Sequence, residues 1–192
     1  MKKLVFLLTI IPFISFAQQY SEVVSMPGKT AEQLYVKARE WFAESFISAD
    51  NALLMDDRIS GRIIAKGSIP VLNQKGKLGW YANFTIKVSF KDGKYKNEVS
   101  NISVLTVATD GGSDVTTPFS AFLDKKEYYQ NASDFKWIMK NPPEEIALET
   151  DAAKELARKN KSIYDLIIKT ELEMKDLLSN VQSKMKETEA SW

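Results

Sequence analysis

The sequence predicts an α+β fold: an antiparallel sheet of about five strands in the order β-α-β-β-β-β-α, with helices packed on one face. Three patterns predict it. Trp80, Ala82, Phe84, Ile86, Val88 and Phe90 alternate with Tyr81, Asn83, Thr85, Lys87 and Ser89, the period-two signature of a strand with one buried face. Leu34, Ala38, Trp41, Phe42 and Phe46 recur at helical spacing. Leu156, Ile163, Ile167, Met174, Leu177, Val181 and Met185 trace a second, longer helical stripe.

The strand at residues 79–90 runs into Asp92-Gly93, a pair suited to a two-residue hairpin turn because both residues tolerate positive φ. Counting back from that turn sets Phe90 opposite Tyr95, Ile86 opposite Val99 and Lys87 opposite Glu98. Apolar residues then meet on one face and opposite charges on the other. Beyond Val99 the alternation inverts, so that Ile102 and Val104 replace Asn101 and Ser103 on the apolar face. A one-residue bulge near Ser100-Asn101 restores the direction; the alternative is a far end covered on both faces.

Upstream, Tyr20–Met26 is a short strand broken by Pro27-Gly28. Thr30 with Gln33 three residues later forms a capping box, opening a helix over 31–47. Ala52–Met55 reads as a brief strand closed by a turn at Asp56-Asp57, and Ile59–Leu72 as another. On that strand Gly61, Ala65 and Gly67 lie on one face, small enough to let a helix lie close. Pro70 marks an edge or the end of clean pairing. Residues 109–143 hold a Gly-rich loop and then an aromatic-dense connection of short helical turns. The final helix starts near Glu144 and extends to Lys186, with a break near Asn160 or one end projecting, because unbroken it would approach roughly 60 Å. Residues 187–192 read as a mobile tail. Everything from 18 to 186 belongs to one domain.

The first 17 residues carry a separate message. Met1-Lys2-Lys3, the apolar run Leu4–Phe16 and the small residues Ser15 and Ala17 form a signal peptide cut after Ala17. The mature chain is thus expected in the periplasm, outside the cell or at the outer membrane. It has no further membrane-spanning segment and no Cys for a lipoprotein anchor.

Composition removes whole classes of chemistry. The chain has 192 residues and neither His nor Cys. A Ser-His-Asp triad, histidine or cysteine metal ligation, a thiol nucleophile and a disulfide are all excluded. Net charge is +1, or −1 once Lys2 and Lys3 leave with the signal peptide, and there is no basic run to hold nucleic acid. The adjacent carboxylates Asp56 and Asp57 would point to opposite sides of a strand, so a turn is favoured over an acid/base pair. Asp110-Gly111-Gly112-Ser113-Asp114 lacks the acidic density and closing Glu of a calcium loop and reads as a plain turn. Asn83, Asn101, Asn131 and Asn160 match the glycosylation acceptor pattern, here taken as chance in a chain with a bacterial-looking leader. The candidate interaction surface is the aromatic set Phe119, Phe122, Tyr128, Tyr129, Phe135 and Trp137.

The run from Met26 to Phe42, with Pro27-Gly28, Leu34-Tyr35, Lys37-Ala38 and Trp41-Phe42, resembles the opening of a secreted bacterial domain family of unknown function described as having a TBP-like fold. Asp56-Asp57 with Gly61-Arg62-Ile63 and Gly67 is similar to its second block, and the strand from Trp80 to its third. The resemblance covers roughly residues 20–107, and more loosely the last helix. It implies a curved antiparallel sheet with helices on one face, and no catalytic residue or cofactor. A TBP-like shape does not imply DNA binding, since fold does not fix function.

The functional expectation is an exported, non-enzymatic module that binds a protein or a small ligand. One alternative is a carrier of an apolar molecule between sheet and helices, lined by Trp41, Phe46, Trp80 and Phe84. A His-independent hydrolase of the Ser-Lys or paired-carboxylate kind is another. A structural role, self-association through the helix at 160–186, is the last.

Overall fold

The computed structural model describes residues 19–46, 52–74, 78–108, 112–141, 143 and 150–187. The signal peptide, Asp110 and Gly111 of the Gly-rich loop, the start of the last helix at 144–149 and the tail beyond 187 lie outside the described residues. The chain runs β1 (Tyr20–Ser25), α1 (Ala31–Ser45), β2 (Leu53–Asp57), β3 (Arg62–Gln74), β4 (Leu78–Lys91), β5 (Lys94–Ala108) and β6 (Val115–Pro118). Four helices follow: α2 (Phe119–Leu123), α3 (Lys126–Asn131), α4 (Phe135–Lys140) and α5 (Thr150–Lys186).

The antiparallel sheet has the order β1-β5-β4-β3-β2, and β6 pairs with β5. Because β4 occupies one edge of β5, β1 and β6 share the other, β1 on Lys94–Val99 and β6 on Ser103–Thr106. The hairpin has the predicted register: Phe90 faces Tyr95, Ile86 faces Val99 and Lys87 faces Glu98. Gly93 has φ +74°, as the turn requires. The predicted bulge is present too. Pairing shifts by one residue between Asn83–Ser103 and Thr85–Ser100, and Asn101 has φ 54°. Val99, Ile102 and Val104 consequently all face the core.

Helix α1 begins at the predicted capping box. The Gln33 amide donates to Thr30 Oγ1 at 3.2 Å and the Thr30 amide to Gln33 Oε1 at 3.0 Å, a pairing worth about 1 kcal/mol. The hairpin tip holds the same corner. The Ala31 amide donates to Asp92 Oδ1 at 2.7 Å, and the Gly93 amide to the Lys29 carbonyl at 2.8 Å. Leu34, Ala38, Trp41 and Phe42 then face the sheet and are buried.

Three expectations need correction. The second strand does not close at Asp56-Asp57 but includes both, and the turn is Arg58–Gly61, where Gly61 has φ +60°. Gly67 does not make room for a helix: a Cβ there would meet the Phe84 ring of the adjacent strand at 2.3 Å. Residues 115–118 form a sixth strand before the short helices begin. Of the two alternatives for the last helix, the break near Asn160 is not seen.

Helix α5 is continuous over 37 residues, about 55 Å at the standard rise. Leu166, Ile167, Met174, Leu178, Val181 and Met185 pack into the same core as the sheet and α1. The predicted seam therefore lies against the chain's own sheet. Lys184 ties α5 to Glu44 of α1 at 2.9 Å. Ala153 and Ala157, nearer its start, belong to a separate small core with Ala132 and Ile138, joined by Trp137 and Leu156. Helices α3 and α4 thus supply a second support for the part of α5 that precedes the sheet. Asn160 is buried and its Nδ2 donates to the Ala132 carbonyl at 3.3 Å. It satisfies a carbonyl at the end of α3 that has no partner within that helix.

Candidate functional site

The helices cover one face of the sheet, and among the described residues the other is open. Alternation gives the open face Lys66 and Ser68 on β3, Asn83 and Thr85 on β4, and Asn101 and Ser103 on β5. Register brings them together: Lys66 pairs with Thr85, and Ser68 pairs with Asn83, which pairs in turn with Ser103. The bulge brings Asn101 into the group, where its Nδ2 donates to Thr85 Oγ1 at 3.4 Å. Its left-handed backbone is one that asparagine tolerates better than most residues.

These six side chains line a depression of about 760 Å³, completed by Phe46, Ala52, Gly67 and Phe84. That volume lies in the range of small-ligand sites. Lys66 is the only ionisable side chain among the described residues of the lining. It is exposed and has no acid partner among the described residues. Tyr81, two residues from Asn83 on the same face of β4, is 37% exposed. Its ring leans back over Gly79, whose missing Cβ would sit 3.1 Å from Tyr81 Cε2.

The carboxylate pair singled out in the sequence is divided between two structural tasks. Asp56 accepts from Tyr35 Oη at 2.6 Å and from Arg39 Nε at 3.1 Å, tying β2 to α1. Asp57 Oδ1 accepts from the amides of Ile59 and Ser60, each at 3.0 Å, which forms the turn into β3. Arg58 in that turn grips Glu32 of α1 through both carboxylate oxygens. Burial, then the Asp56 contact, pushes the Tyr35 hydroxyl above its ordinary range. The Ser60 backbone amide holds Asp57 below the usual carboxylate range, and Lys96, bonded at 2.8 Å, does the same for Glu98.

Both carboxylates have folded values depressed below their unfolded ones. Their contribution is complete above the unfolded carboxylate range and is lost as pH falls through the folded values. Melting temperature is therefore expected to stay flat between about pH 6 and 8, where no His titrates, and to fall below about pH 4. Circular-dichroism melts of the parent and of the Asp57→Asn/Glu98→Gln variant test this, with a shallower acid limb expected in the variant. An equally steep limb would remove these two groups as its cause.

The six aromatic residues proposed as a surface do not share one. Phe119 is fully buried in the main core, and Phe122 and Tyr129 pack against it. Trp137 packs on the small core. Tyr128 is 45% exposed, with its ring edge-on to Tyr129 at 5.6 Å and to Trp137 at 6.2 Å. The side chain of Phe135 lies outside the described residues. Trp41, Phe46, Trp80 and Phe84, the expected lining of an apolar cavity, join the main core, with Trp41 edge-on to Phe46 at 5.9 Å. Asp114 of the Gly-rich loop accepts from the Ala108 amide at 3.3 Å. No group of three or more metal-ligating side chains occurs among the described residues. No described helix is long and apolar enough to cross a membrane. Sequence reading missed the open-face group, whose only signal was the run of Ser, Thr and Asn at outward positions.

A TBP-like protein from Parabacteroides distasonis is similar in structure, with TM-score 0.60 at 13% identity, covering 93% of this chain and 98% of that one. A DUF4468 family protein from Bacteroides ovatus is similar with TM-score 0.55 at 15% identity, covering 96% and 95%. At such identities the likeness is one of fold. No curated protein matches the chain. Residues 20–104, the segment running from β1 into β5, match the family model for a domain of unknown function (DUF4468) with TBP-like fold, the family that these residues resemble.

Proposed function

We propose that the mature chain is an exported binding module without catalytic activity, and that its ligand rests in the depression on the open sheet face. The observation that carries this reading is the depression itself: six polar residues from three strands line a ligand-sized space together with Phe46, the residue that ends α1. Their chemistry favours holding over reacting. Hydroxyls and amides bind without activating anything. Lys66, the neighbour of Ser68 on this face, is exposed, without the desolvation a general-base lysine needs. Export rests on the signal-peptide pattern of residues 1–17.

Two measurements test the reading. Amide spectra of the labelled mature chain, titrated with pooled amino acids, peptides, saccharides and nucleotides, are expected to shift at Lys66, Ser68, Asn83, Thr85, Asn101 and Ser103. Shifts confined to the helical side, or turnover of an ester, peptide or glycoside, would overturn the assignment. N-terminal sequencing of protein made by the native host is expected to begin at Gln18, and a chain beginning at Met1 would overturn export.

A further inference from the structure

We infer that the ligand of this depression is an acidic saccharide, a sugar carrying a carboxylate; the inference rests on the binding-module reading. The first argument is the kind of hydrogen bonding on offer. Ser68, Asn83, Thr85, Asn101 and Ser103 each both donate and accept. A sugar hydroxyl does the same, so a ring with several hydroxyls can satisfy such a set without leaving either side unpaired. A purely apolar ligand would strip water from these groups and return nothing.

The second argument is spacing. Side chains on one face of the sheet repeat at about 4.8 Å between strands and about 6.6 Å along a strand. The two rows, Lys66–Thr85 and Ser68–Asn83–Ser103, therefore present a lattice with the dimensions of a sugar ring and its substituents. The third is the exposed Tyr81 ring on the same face. It offers an apolar surface to the C–H face of a sugar placed one step along the strand.

Charge selects within the saccharides. Among the described residues Lys66 is the one charged member of the lining and has no acid partner, so a single carboxylate on the ligand completes it. One cation is too few for a polyphosphate chain. An extended peptide adding to the sheet would use backbone groups at an edge. Asn83, Thr85, Asn101 and Ser103 instead offer side chains from the face of β4 and β5, while Lys66 and Ser68 lie on β3, which β2 pairs no further than Ala65.

The test titrates the labelled mature chain with galacturonic acid trimer, with the neutral galactose trimer and with triglutamate. The uronate is expected to shift the amides around Lys66, Asn83 and Ser103. Lys66→Met is expected to weaken uronate binding about tenfold and leave the neutral sugar unchanged, since a charge-assisted hydrogen bond contributes roughly that factor. Tyr81→Ala is expected to weaken both sugars. Both substituted residues are solvent-facing, and an unchanged melting temperature certifies the fold. Triglutamate binding at the same amides as tightly as the uronate would overturn the saccharide assignment and leave the binding module standing. Silence of those amides to all three probes and to the wider pool would overturn both.

Discussion

A chain ended after Asn160 is expected not to fold. Six side chains beyond that point, Leu166, Ile167, Met174, Leu178, Val181 and Met185, are each at most 8% exposed in the main core. At about 1.5–3 kcal/mol for each buried side chain, their loss removes roughly 9–18 kcal/mol. The whole stability of a domain is about 5–15 kcal/mol. The shortened chain should show no cooperative melt by circular dichroism and should bind a hydrophobic dye, whereas a chain ended after Glu187 should match the parent. A cooperative transition in the shorter chain would disprove the shared core. The result also bears on the family boundary. The family match stops at residue 104, inside β5, before the helix that closes the core. Both structural neighbours extend over 93% or more of this chain. The matched segment is thus expected to be a recognisable sequence block that cannot stand as a folding unit.

What could be read from the sequence was what local chemistry determines. Asp92-Gly93 marks a two-residue turn, and once that turn is placed every cross-strand pair from Phe90–Tyr95 to Lys87–Glu98 follows by counting, although only Gly93 takes up positive φ. The bulge was legible because a period-two pattern can change phase only by inserting a residue. Helix α1 was legible because Thr30 and Gln33 satisfy each other's backbone donors.

Features settled at a distance were not legible. Val115–Pro118 has only four residues and ends in proline. It becomes a strand because β5 leaves Ser103–Thr106 unpaired beside it. Asn160 resembled a helix breaker because periodicity cannot reveal that the Ala132 carbonyl needs a donor at that spot. The aromatic residues of 119–137 announced themselves as a group, but the separate cores that receive them depend on where α5 passes. The open-face depression was hidden for a related reason. Outward Ser, Thr and Asn on a strand look the same whether the surface is flat or hollow. Its concavity here involves the Asn101 bulge and the end of α1 at Phe46.

Gly67→Ala is expected to destabilise the protein by about 1–3 kcal/mol, the usual cost of overpacking a filled interior. The sign is the informative part. Alanine ordinarily improves a strand glycine by about 0.5–1 kcal/mol. Here its Cβ would lie 2.3 Å from Phe84 Cζ and within 2.9 Å of both Cε atoms. Phe84 is only 5% exposed and belongs to the main core, so its ring cannot swing into free solvent. Phe84→Leu alone should also destabilise, through lost packing. In the double variant the shorter side chain no longer reaches over position 67, and the two costs should fall short of additivity by roughly 0.5–3 kcal/mol. Urea unfolding of the four proteins measures the coupling. Additive costs, or a stabilised Gly67→Ala variant, would show that the ring does not rest there.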